Sequence, residues 1–76
     1  MPKLPVVSGP EVVRALCRAG YDPFTKEGSH QSLRHRVTGR KVTVPIHAGR
    51  DLKPGIVHGI LKQVGLTVDE FLELLR

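Results

Sequence analysis

Apolar residues first recur at helical spacing, at Val12, Val13, Leu16 and Cys17. That spacing puts one apolar stripe on a helix. Ser8-Gly9-Pro10-Glu11 stands before the stripe and reads as a capping box, with Pro10 in the first turn, where its missing N–H costs nothing. Gly20 follows as a helix stop. The pattern predicts a helix from about Gly9 to Ala19.

The period then shortens to two. Tyr21 to Lys26 reads as a short strand, and Pro23 within it argues for an edge or irregular strand. Ser29 to Val37 is a second candidate. Its alternation places Gln31, Leu33, His35 and Val37 on one side, and His30, Ser32, Arg34 and Arg36 on the other. Leu33 and Val37 are the core candidates. Val37-Thr38-Gly39-Arg40 gives a turn, and Lys41 to Pro45 gives a third strand with Val42 and Val44 on one face.

Pro45 to Lys53 reads as a loop. Ile56, Val57, Ile60, Leu61 and Val64 then predict a helix from about Pro54 to Val64, ended by Gly65 with Leu66 as its apolar C-cap contact. Thr67-Val68-Asp69-Glu70 is a second capping box. It opens a last helix with Val68, Phe71, Leu72 and Leu75 turned inward. The predicted class is α+β, in the order α-β-β-β-α with a short extra C-terminal helix. The three strands form an antiparallel meander. Helices gathered on one face of such a sheet leave the other face open.

With 76 residues, the chain makes one small domain over positions 1–76. Hydrophobic residues at 39% and charged residues at 25% suit a globular domain and exclude a disordered one. Trp is absent, and Tyr21, Phe24 and Phe71 are the aromatic residues, which argues against a face built on many stacked bases. One cysteine allows no internal disulfide. Cys17 stands among apolar neighbours and reads as a core residue. MPKLPVVSGP is too short and proline-rich for a signal peptide, and no apolar run approaches a membrane span. These features lead to the expectation of a cytoplasmic protein.

Net charge is +5, and its distribution changes the picture. Lys26, Arg34, Arg36, Arg40, Lys41, Arg50 and Lys53 crowd the middle third, against Glu27 and Asp51, so the whole excess lies there. Such a patch suits phosphate-bearing or acidic partners; its bland alternative is a solvated face. Gly28-Ser29-His30 begins this segment. Gly28 permits a sharp turn, Ser29 brings a hydroxyl, and a histidine can move a proton near neutral pH. His47 has two readings, as a member of the same site or as a loop cap. His35 falls on the core side, and His58 falls off the apolar stripe. Lys53-Pro54-Gly55 at a helix start is either a phosphate site or an ordinary helix entry. No Cys-x-x-Cys or His-x-x-x-His pair suggests a metal, no glycine-rich nucleotide loop is present, and no cofactor is expected.

Five motifs in order add a resemblance: Gly28-Ser29-His30; Val42-Thr43-Val44-Pro45-Ile46-His47; Leu52-Lys53-Pro54-Gly55; Ile60 to Leu66; and Glu70-Phe71-Leu72. Together they resemble the HicA family of toxins over about Ser8 to Leu75. The resemblance implies a double-stranded-RNA-binding-domain-like fold. It implies a bacterial or archaeal ribonuclease that cleaves mRNA and arrests growth, and that a HicB antitoxin blocks. It also implies that His30, the histidine of the Gly-Ser-His motif, is catalytic. Two positions depart from the family's pattern, Glu27 where a basic residue is common and Ile56 where threonine is common.

Residues and resemblance together lead to a metal-independent endoribonuclease. His30 would act on an RNA 2′-OH, with Lys26, Gly28, Ser29, Arg34, His47, Lys53 and Gly55 as the RNA-contacting set. The competing readings are a non-catalytic RNA-binding module and a domain whose basic patch only docks an acidic antitoxin. None of the three places the chain in a membrane.

Overall fold

The computed structural model describes residues 3–47 and 50–76. Its elements are α1 (Gly9–Arg18), β1 (Tyr21–Glu27), β2 (His30–His35), β3 (Lys41–Pro45), α2 (Pro54–Val64) and α3 (Val68–Leu75). The strands form one antiparallel sheet in the order β1-β2-β3. This is the α+β arrangement the sequence predicts. Among the described residues, no helix is long and apolar enough to cross a membrane.

Both predicted capping boxes form. The Ser8 hydroxyl accepts from the Glu11 amide, and the Glu11 carboxylate accepts from the Ser8 amide at 3.0 Å. Thr67 and Glu70 repeat the exchange at the start of α3, at 3.1 and 2.9 Å. The Ser8 amide, then the Ser8 hydroxyl, and more weakly Arg14, hold the Glu11 carboxyl below its ordinary value of 4.5. Gly65 ends α2 at φ +75°, a left-handed position that a glycine takes without a Cβ penalty.

One face of the sheet is covered. Tyr21, Leu33, Val42 and Val44 are buried there against Val12, Ala15 and Leu16 of α1, Val57, Ile60 and Leu61 of α2, and Phe71 of α3. Phe71 has no exposed surface, so α3 completes the core. Arg18 ties α3 down by donating to the Leu74 carbonyl at 2.8 Å and to the Arg76 carbonyl. Cys17 is half-buried and packs against the core, as do Val64, Leu66, Val68 and Leu75.

Three expectations need correction. The second strand runs from His30 to His35 rather than from Ser29 to Val37, and Val37 is 86% exposed instead of buried. The cause is the His35 imidazole, whose Nδ1 accepts from the amides of Val37 and Thr38 at 3.1 and 3.2 Å. A side chain that satisfies those amides turns the chain out of the sheet. Ile56, predicted inward, is 42% exposed because it lies in the first turn of α2, beside a cleft and not over the sheet. The predicted loop from Pro45 to Lys53 is shorter: Pro45 closes β3, and Asp51 forms an isolated bridge with Ser8. Residues 48 and 49 of that loop, and the first two residues of the chain, lie outside the described residues.

Candidate functional site

The Gly28-Ser29-His30 motif is a hairpin turn. Glu27 pairs with His30 across it, leaving Gly28 and Ser29 as a two-residue loop. Gly28 has φ +56° and Ser29 does not have positive φ, the pattern of a type II′ turn with glycine first. The glycine is thus required by the backbone. A tight turn fixes the register, and the register fixes which side chains share a face.

The face of β2 opposite the core carries His30, Ser32 and Arg34. Directly opposed residues share a face, so β3 adds Pro45, Thr43 and Lys41, and β1 adds Glu27, Thr25 and Asp22. Ser32 and Pro45 are half-buried, and the other seven are exposed. Ser32 and Thr43 share a hydrogen bond at 3.3 Å across the middle of this face. Asp22 is engaged by Arg36 at 2.7 Å. Arg34 and Lys41, opposite each other, make no ion pair among the described residues. His30 is exposed at the turn end, between Glu27 on one side and Pro45 on the other.

A second cluster adjoins the first through Pro45. The cleft there holds about 230 Å³ and is lined by Pro45, His47, Arg50, Asp51, Leu52, Lys53 and Ile56. Its floor is set by chain contacts far apart in sequence. The Leu52 amide donates to the Val7 carbonyl at 2.8 Å, and a Cβ at Gly9 would collide with the Pro45 carbonyl. Gly9 therefore lets α1 start directly against the end of β3. Lys53 occupies the N-cap of α2 with extended backbone and no side-chain cap bond. The first turn of α2 points its positive end into this cationic surface.

The expected catalytic residue and the RNA-contacting set divide three ways. His30, Arg34, Ser29 and Gly28 lie on or at the end of the open face. His47 and Lys53 line the adjoining cleft, with Gly55 exposed in the first turn of α2 behind them. Lys26 is not part of this surface: it pairs with Gln31 and so takes the opposite side of the sheet from His30. Sequence reasoning missed Arg50, Asp51 and Phe24. Arg50 and Asp51 reach the cleft only through the bridge between Ser8 and Asp51, which no local pattern announces. Phe24 is the unpaired residue of a bulge between Pro23 and Thr25, on the face where alternation with Asp22 already places it.

A family model described as the HicA toxin of bacterial toxin-antitoxin matches residues 9–66. The matched span holds the sheet, α1, α2 and every site residue named above; α3 follows it. No curated protein matches the chain.

Proposed function

The chain belongs to the HicA family, toxins of bacterial toxin–antitoxin systems, and from that membership we propose that it is an endoribonuclease that cleaves mRNA without a metal ion. The observation that carries the reading is the position of His30. It stands exposed at the end of the sheet face opposite the core, with Arg34 and Lys41 along the same face and Arg50 and Lys53 in the adjoining cleft.

In this reading His30 takes the proton from a ribose 2′-OH. The oxygen then attacks the adjacent phosphorus, and the bond to the 5′-oxygen of the next nucleotide breaks. The products are a 2′,3′-cyclic phosphate and a free 5′-hydroxyl, once His47 or a water molecule has supplied the leaving oxygen with a proton. Only RNA provides that 2′-hydroxyl. Arg34, Lys41, Lys53 and the first turn of α2 hold the phosphates and stabilise the charge that develops. Acid–base help from one side chain is worth about 10²–10⁴-fold in rate. Glu27, beside His30 on the same face, works against phosphate binding. A HicB-type antitoxin in the same cytoplasm would neutralise the toxin by covering the open face and the cleft.

The test is incubation of end-labelled RNA with pure protein in EDTA. Cleavage is expected, with loss of about 10²–10⁴-fold on His30→Ala and protection by a single 2′-deoxy substitution at the cut nucleotide. Cleavage by His30→Ala at the normal rate would remove His30 from the mechanism. Intact RNA with a salt-sensitive gel shift would replace the enzyme by an RNA-binding module of the same fold.

A further inference from the structure

Phe24 is the large apolar residue of the open face. It stands unpaired at the bulge in β1, on the same face as Asp22, is 47% exposed, and has the Arg34 guanidinium over its ring at 4.8 Å from the ring centre. Sheet packing gives no reason for an aromatic residue here, because the core lies on the other side of the strands. Exposed aromatic rings and arginine guanidinium groups are the side chains on which unpaired bases stack.

The charges around the pair suit a polyanion. Asp22, the carboxylate opposite Arg34, is already engaged by Arg36. Arg34 and Lys41 are left without ion pairs among the described residues. Phosphates flanking a stacked base would meet these two cations. The spacing also suits the chemistry at the turn. Arg34 is four residues along β2 from His30, or roughly 13 Å at strand rise, the reach of about two extended nucleotides.

We infer that Phe24 and Arg34 form a stacking platform for one unpaired nucleobase of the RNA, about two nucleotides from the ribose whose 2′-OH His30 deprotonates. The inference rests on the open face being the RNA face. It extends that reading by assigning single-stranded substrate and a fixed distance between the held base and the cut. The platform selects for an unpaired base rather than for one base type, because every base has a π face.

The experiment uses His30→Ala protein, expected to hold RNA while cutting it about 10²–10⁴-fold more slowly, and single-stranded oligonucleotides with one 2-aminopurine moved along the chain. The same set is given to protein with native His30 to locate the cut. Strong quenching is expected at one position, about two nucleotides from the cut. Phe24→Leu, in the His30→Ala background, should abolish the quench and weaken binding by about 5-fold or more, with the salt slope unchanged. Phe24→Tyr should keep both. Arg34→Gln should weaken binding and lower the salt slope by about one unit. A quench that survives Phe24→Leu, or no quench at any position, overturns the platform. Cutting without a quench leaves the nuclease and removes the platform; a Phe24-dependent quench without cutting does the reverse.

Discussion

The two faces of the sheet share three strands and have almost nothing else in common. On the covered face Leu33 and Val44 are wholly buried, and Val42 nearly so. On the open face the same strands present His30, Arg34, Thr43 and Lys41, all exposed, and Ser32, half-buried. One face contributes to stability through burial. The other adds little stability and collects the groups that can bind phosphate or move a proton. Alternation along one strand is enough to separate the two roles, since neighbours in sequence point to opposite sides.

The largest expected effect tests that separation directly. His30→Ala should lower RNA cleavage by about 10²–10⁴-fold while the urea midpoint stays within experimental error. A large fall in the midpoint would mean that His30 serves the fold as well. Leu33→Ala, three residues away on the other face, should cost about 2–5 kcal/mol, read in the same urea titration. For a domain this small that is a large part of total stability. Ser32→Ala, next to Leu33 but on the open face, should cost less than about 1 kcal/mol. Equal losses from Leu33→Ala and Ser32→Ala would show that the open face is not open.

The helix starts sharpen the same contrast. Thr67 caps α3, whereas Lys53 stands at the N-cap of α2 and caps nothing. Thr67→Ala should therefore destabilise by about 1 kcal/mol. Lys53→Ser should raise the thermal midpoint, by a stabilisation of about 0.5 kcal/mol, and weaken RNA binding. If Lys53→Ser weakens both stability and binding, the lysine has a structural role that its geometry does not suggest.

The smallest effect concerns pH. Glu11 is held ionised by Ser8, so its folded value lies below its ordinary 4.5. A depressed carboxyl contributes stability above the unfolded value and loses it as pH falls through the folded one. The wild-type advantage over Glu11→Gln in thermal melting should be present at neutral pH and shrink below about 4.5. An advantage that persists at pH 2 would indicate that the charge is not its source.

Much of this was legible in the sequence. The capping boxes, the element order and the alternation that puts His30 with Arg34 opposite Leu33 all follow from local chemistry. What was not legible came from contacts that local patterns do not encode. Val37 left the sheet because one imidazole nitrogen satisfies two amides. Phe24 lies on the open face by the same alternation as Asp22, and the bulge that follows it shifts the period of β1, which carries Lys26 onto the helix side opposite Gln31. Arg50 and Asp51 joined the cleft because Ser8 and Leu52 lie beside distant chain. The family resemblance singled out His30, and only the register showed what stands around it.

Each strand here pairs with its neighbour in sequence, so the sheet can assemble by closing short loops, which is rapid. The grip of Arg18 on the last turn of α3 spans 56 residues and is the expensive closure. Folding is therefore expected to proceed from a locally built sheet to a late docking of α3, with Phe71 as the last large side chain to leave water. Mutations in that joint should act on the rate at which the toxin falls apart and leave the rate at which it forms nearly unchanged.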